Sequence, residues 1–324
     1  MHEPEFWRGH DYTAKLVSAA LTPASWAYGA TVSFKSKHAR PYRSSTKVVC
    51  VGNLTVGGAG KTPIAIGIAR QLIRRGTKTW GLTRGYGGNV SGPMVVNLES
   101  HLASDVGDEA LVLAAAMPTI VSSNRAAGAQ LAEQKGAQAI VMDDGHQNFS
   151  LAKDLSIVVV DAASGFGNNR IVPAGPLRES VKQGLARADA AVIVGADYFD
   201  IPSFERPILR AELTPTHASE FVGKTFVAFA GIGKPEKFFA TLRKLGVNLL
   251  DALPFADHHV YSEKELAQLS AQAKAKCAGL ITTQKDFVRL PPEHRAKIAC
   301  LPIEAKFENP ASIDSLLDTL FPCG

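Results

Sequence analysis

Short apolar runs recur along the chain, each followed by a stretch in which apolar residues return every three or four positions. The run 48–51 (Val, Val, Cys, Val) has no polar position and predicts a strand buried on both faces. Beyond a glycine-rich break, Ile64, Ile68 and Leu72 recur at helical spacing until Gly76 ends the pattern. Further buried strands are predicted at 78–83, 118–122, 139–142, 155–161 and 190–195, with helices between them, one ending at Gln134. This alternation predicts a mostly parallel, doubly wound α/β sheet. A Pro- and Thr-rich stretch, 202–220, interrupts it, and strands at 226–230, 279–283 and 300–303 then announce a second, smaller α/β unit.

The first residues follow neither pattern. Phe6, Trp7, Leu16, Val17, Leu21, Trp26, Tyr28, Val32 and Phe34 are interleaved with small residues, and a basic exit from Lys35 to Lys47 follows. Pro23 predicts a break, hence two short helices with exposed aromatics. No apolar run reaches the ~20 residues that crossing a bilayer requires. A helix lying in the membrane interface and a helix packed on its own domain both fit.

Composition adds one fact that the total charge hides. The 324 residues carry a net charge of +5, yet between Tyr12 and Leu98 there is not one Asp or Glu against twelve Lys and Arg. A positive field concentrated in the first third favours phosphates or an anionic membrane surface. Cys50, Cys277, Cys300 and Cys323 are far apart with no CxxC pair, which argues against a zinc site or a disulfide framework.

The chemistry begins at the glycine-rich break. Thr55-Val-Gly57-Gly58-Ala59-Gly60-Lys61-Thr62 joins a predicted strand to a predicted helix, so backbone N–H groups and the positive end of the helix dipole point at one spot. A polyphosphate fits there, with Lys61 on its outer phosphates and the Thr62 hydroxyl on Mg²⁺. Thr55 stands where the general pattern has glycine. The strand 139–142 runs straight into Asp143-Asp144-Gly-His-Gln147, the arrangement in which a carboxylate holds Mg²⁺ beside a P-loop. Arg84-Gly-Tyr86-Gly-Gly lies where α/β sheets place ligands, Asp105-Val-Gly-Asp108-Glu109 opens a predicted helix, and 165–179, with Arg178 and Glu179, is a long loop of the irregular kind that is usually functional. Acids opening a helix also serve as caps, so Asp105 and Asp108 each have a purely local reading.

In this order, and joined by Gly231-Ile-Gly233 and Asp257-His258-His259, these segments resemble the tetraacyldisaccharide 4'-kinase (lipid A 4'-kinase) family over 53–289. The resemblance implies a P-loop NTPase-type fold and transfer of the γ-phosphoryl group of ATP, with Mg²⁺, to the 4'-hydroxyl of an acylated glucosamine disaccharide 1-phosphate. It implies a peripheral protein on the cytoplasmic face of the inner membrane. It assigns Asp108 as the catalytic aspartate, paired with His258, with Asp105 and His259 as their competitors. Asp143, Asp144 and Gln147 fall around the metal with Thr62. Arg125 and Arg178 become phosphate clamps, and Tyr86 and Glu179 members of the substrate site. The corresponding divisions are a membrane-associating segment 1–45, a P-loop kinase domain 46–213, a linker 214–221 and a C-terminal α/β domain 222–324.

Two rivals share parts of this pattern. A GTPase would need Asn/Thr-Lys-x-Asp, whereas Lys285 and Asp286 are adjacent. A membrane-associated P-loop ATPase switch acting on a protein partner would share the loop and the acids but have no lipid acceptor. Nucleic-acid binding finds no recognition module in the basic region.

Overall fold

The structure is a computed structural model that describes residues 4–9 and 11–321. Residues 1–3 and 10 of the segment 1–45, and Cys323, lie outside the described residues.

After a 3₁₀ turn at Glu5–Trp7 the N-terminal segment forms one continuous α-helix, α1 (Tyr12–His38), and Pro23 does not divide it into the two short helices expected. Thr22 Oγ1 donates to the Ser18 carbonyl inside it, while Ser18 Oγ and Ser25 Oγ donate to Ala174 O and Ile171 O (both 2.7 Å). Anchors on both sides of Pro23 hold the two halves in one line, so the amide hydrogen bond that proline removes does not end the helix. The buried face of α1 is Ala14, Ser18 and Ser25, whereas Tyr12, Trp26 and Phe34 are exposed. That inverts the usual amphipathic order.

The large sheet begins with β1 (Lys47–Gly52), which the P-loop joins to α2 (Lys61–Arg74). There follow β2 (Thr79–Thr83), the short β3 (Met94–Val95), α3 (Ala103–Val106), α4 (Asp108–Ala114) and β4 (Thr119–Val121). Then come α5 (Arg125–Gln134), β5 (Ala139–Asp143), β6 (Leu155–Asp161), α6 (Val181–Ala186), β7 (Ala190–Val194) and β8 (Ile208–Pro215). The central strands are buried along nearly their whole length, as expected of a parallel sheet covered on both faces.

The second unit contains β9 (Thr225–Ala230), α7 (Pro235–Lys244), β10 (Asn248–Pro254), α8 (Glu263–Ala275), β11 (Gly279–Thr283), α9 (Gln284–Phe287), α10 (Pro292–Arg295) and β12 (Ile298–Leu301). Its four strands form a parallel sheet of order β10-β9-β11-β12 around Phe229 and Phe239.

The chain then returns. β13 (Ile303–Phe307) pairs antiparallel with β8, closing the large sheet as β13-β8-β7-β6-β1-β5-β2-β4-β3, and α11 (Pro310–Asp318) packs on α2. Phe307, Ile313 and Leu317 join the core of the first domain. The division 222–324 read from the sequence therefore gives way near residue 302, and the linker 214–221 overlaps the end of β8. The strand 303–307 carries only a weak alternation, and its pairing is decided by β8 on a distant part of the chain.

The strand order places the ligand-bearing segments. β1 lies between β5 and β6, so the P-loop leaves the sheet beside Asp143, whose register partner is Val51. Strand order reverses there, and ligands gather at such points in open α/β sheets.

Candidate active site

Gly57 (φ 107°) and Gly60 (φ 83°) take backbone conformations that side chains rarely adopt, and they wrap the loop around an open concavity. The amides of Gly58, Ala59 and Gly60 find no backbone acceptor among the described residues. Thr55 does not belong to this cradle in the way a glycine would: it forms a bridge with Leu177 and fastens the loop to the segment carrying Arg178. Lys61 is buried, and its Nζ lies 3.7 Å from Asp144 Oδ1.

Thr62 Oγ1 donates to Asp143 Oδ2 (2.8 Å), while Asp143 Oδ1 is buried without a hydrogen-bond partner. Burial raises the Asp143 carboxyl, and the nearby Glu109 raises it further against the pull of Lys61. An orphaned, buried carboxylate oxygen beside the P-loop hydroxyl is the donor set a divalent cation takes. Asp144 is held the opposite way. Burial alone would raise it, but Lys61 and Arg178 outweigh that and bring it to about 2. Its backbone is left-handed (φ 52°), a strained state that turns the carboxylate towards those cations. Arg178 Nη1 donates to Asp144 Oδ1 (2.8 Å) and reaches Gln147 Oε1 (3.4 Å).

Gln147 is fixed from the other end, its Nε2 donating to Asn53 O and Glu179 Oε1 (both 2.9 Å). Glu179 is buried and receives two bonds from Arg187 Nη2, at 2.7 and 2.6 Å. In this arrangement it supports Gln147. Arg125 is buried under the loop, bonded through Nη1 to Ser122 O, with Nε lacking a partner. Burial brings it down to about 10, against the pull of Asp144 and Asp143, so it remains a cation facing both acids. His146, between Asp144 and Gln147 in sequence, is structural: its ring bonds Ser156 Oγ and Gly184 O, and burial keeps it neutral, near 3.

Across the opening, the structure separates Asp105 from Asp108. Asp105 Oδ2 accepts from Leu102 N (2.7 Å), a local cap at the start of α3. Gly107 (φ 85°) then turns the chain so closely under the Arg84–Gly88 loop that a Cβ there would stand 2.5 Å from Tyr86 O. Asp108 thereby opens α4 beneath Tyr86, buried, with Oδ2 3.1 Å from His258 Nδ1. Tyr86 is exposed and sets its edge against the His258 ring. His258 is itself left-handed (φ 58°), whereas His259 packs among Phe255 and Tyr261 and bonds Glu265. Of the two histidines, only His258 faces Asp108.

Three cations of the second unit were not singled out by the sequence. Arg289 donates from Nε (3.0 Å) and Nη2 (2.6 Å) to Asp108 Oδ2, and Lys285 Nζ donates to Glu109 Oε1 (2.7 Å). They stand four positions apart, opposite two adjacent acids, a relation that only the fold makes visible. On the far side, Lys234 Nζ donates to Asp161 Oδ2 (2.7 Å) at the end of β6. Burial would raise Asp161, but the bonds from Lys234 and Ser164 hold it at about 2. The two units thus meet in ion pairs on both sides of a P-loop cleft lined by Thr55, Gly57, Gly58, Asp161 and Lys234.

Comparison with known proteins agrees with this layout. Residues 17–321 match the family model LpxK, described as tetraacyldisaccharide-1-P 4'-kinase. The tetraacyldisaccharide 4'-kinase of Rhodospirillum rubrum is 47% identical over 328 residues, covering 99% of this chain and 98% of the relative. That of Paramagnetospirillum magneticum is 47% identical over 325 residues, covering 99% of each. A crystal structure of LpxK from Aquifex aeolicus in complex with ATP superposes with a TM-score of 0.78 at 24% identity, covering 94% of this chain and 99% of that one. With a P-loop, paired acids beside it and an Asp108–His258 contact, and with relatives matching end to end, this chain belongs to the tetraacyldisaccharide-1-P 4'-kinase family.

Proposed function

We propose that the protein transfers the γ-phosphoryl group of ATP to the 4'-hydroxyl of a tetraacyldisaccharide 1-phosphate, giving the bis-phosphorylated lipid A precursor. One observation carries the reading: the Asp108–His258 pair, formed by residues of two different units, adjoins Glu109 and Lys285, which act electrostatically on Asp143 beside the P-loop. Thr62, Asp143 and Asp144, with Gln147 beside them, would hold Mg²⁺, which when bound spreads the charge of the outer phosphates. Lys61 and the Gly57–Gly60 amides bind the phosphate chain, and Arg125 and Arg178 supply positive charge against the acids and phosphates. The sugar alcohol, brought in line, gives up its proton to the Asp108–His258 pair while its oxygen attacks the γ-phosphorus and the bond to the leaving ADP oxygen breaks. Tyr86, exposed beside His258, supplies a face for the sugar.

The same reading places the enzyme on an anionic membrane surface, on the cytoplasmic side of the inner membrane. The acyl chains of such a substrate stay in the bilayer, and α1 offers Trp26 and Phe34 outward beside Lys35 and Lys37. No helix among the described residues is long and apolar enough to cross a membrane.

The test is incubation with labelled ATP and the disaccharide 1-phosphate in anionic vesicles. A doubly phosphorylated lipid, with ADP released in equal amount, is expected. ATP turnover indifferent to the lipid would favour the ATPase switch acting on a protein partner.

A further inference from the structure

Arg289 is the least expected residue of the cleft. Its guanidinium is almost completely buried, at 4% side-chain exposure, and each of its nitrogens has an assigned acceptor. Nε and Nη2 grip Asp108 Oδ2, while Nη1 donates to Gly231 O (2.8 Å) and Asp286 Oδ1 (2.9 Å). Asp286 is fully buried and also receives Gly231 N (2.9 Å), Tyr261 OH (2.7 Å) and Thr283 Oγ1 (2.5 Å). A planar fork thus joins a fixed carboxylate of the second unit to a carboxylate of the first, 181 positions away in sequence.

This matters for the proton. Asp108 Oδ2 is occupied by Arg289 and His258, and Oδ1 accepts from Glu109 N (2.8 Å). The carboxylate is buried with its oxygens engaged, whereas the His258 side chain is 35% exposed and lies against the exposed Tyr86 ring. We propose that Arg289 is a positioning residue: its fork fixes the orientation of Asp108 against His258 and ties that pair to the Asp286 network of the second unit. The bond from Asp108 raises the proton affinity of His258, while Asp108 itself is driven far below the usual carboxylate range: burial opposes that, but His258, Lys285 and Arg289 together outweigh it. Asp257, 3.8 Å from His258 Nε2, also favours the charged ring, and Arg289 opposes it.

The proposal rests on the kinase reading, and its test separates the two. If the unmodified enzyme yields no doubly phosphorylated lipid, that reading fails first. Given an active enzyme, Arg289→Lys keeps a cation but loses the fork, and Arg289→Gln removes the charge. We expect kcat to fall tenfold or more in both, with ATP affinity, measured by titration, within twofold of the unmodified enzyme. In Arg289→Gln the acid limb of kcat against pH should move to higher pH, because a cation that opposes protonation of the pair has gone. Added guanidinium should restore part of the rate of Arg289→Gln and none of that of His258→Ala. A kcat near the unmodified value would overturn the proposal. So would a reduced kcat with an unmoved acid limb and no guanidinium rescue, the pattern of a residue that only holds the fold. If Arg289→Gln does not fold, Arg289→Lys decides: a kcat within threefold of the unmodified enzyme overturns the assignment.

Discussion

The two halves of the cleft are built by different means. The nucleotide side is local: Gly57 to Thr62 is one continuous turn from β1 into α2, and Asp143 ends the neighbouring strand in direct register with Val51. The acceptor side is assembled from distant parts: Asp108 comes from the first unit, and His258 and Arg289 from the second. A P-loop turn carries its function wherever strand and helix flank it, because backbone amides and a helix dipole suffice. An Asp–His pair across two units exists only while those units are docked, so the function proposed for it would depend on that docking.

Mutation can break each half separately. Lys61→Ala, on the nucleotide side, should have the largest effect: loss of the buried ammonium lowers turnover on the order of 10³-fold or more and weakens ATP binding in direct titration. His258→Ala removes only the acceptor side, so turnover should fall about 10²-fold or more while ATP affinity stays near that of the unmodified enzyme. Loss of ATP affinity in that variant would mean that the two halves are not independent.

A pH series probes the docking itself. His258 is raised from its ordinary 6.5 by the bond to Asp108, so its contribution to docking is complete below that value and is lost as pH climbs through the raised one. Asp108 is depressed, so its own contribution persists until strongly acid pH. Protease susceptibility of the segments joining the units should rise on the alkaline climb, and Asp108→Asn should flatten that dependence. The smallest effect belongs to Asp105→Ala. It deletes a local cap, for about 1 kcal/mol of stability by thermal melting, with turnover changed less than about twofold. A large loss of turnover there would restore Asp105 as a competitor of Asp108.

Much of this was legible in the chain. The buried strands were visible as apolar runs because a parallel sheet covered on both faces admits few polar positions, as in β5 and β6. Pro23 misled because a helix-breaking residue was weighed without the hydroxyl anchors of Ser18 and Ser25, which lie on loop carbonyls far along the sequence. The return of β13 to the large sheet is not legible in the division 222–324, because an edge strand takes its identity from its partner, and that partner, β8, precedes the whole second unit. Arg289 escaped notice because a lone arginine four residues after a lysine has no pattern of its own until Asp108 and Glu109 stand opposite.

What the sequence determined by itself were features whose cause lies within a few residues: the strand–glycine–helix turn at Lys61, the acids after β5 and the alternation that makes the sheet. The tertiary structure alone decided which acid and which histidine meet, that Glu179 supports Gln147, and that an arginine locks Asp108. Local backbone geometry is written in neighbouring residues, whereas a contact between buried charges depends on how two packed units present their surfaces. No short stretch of sequence contains that information.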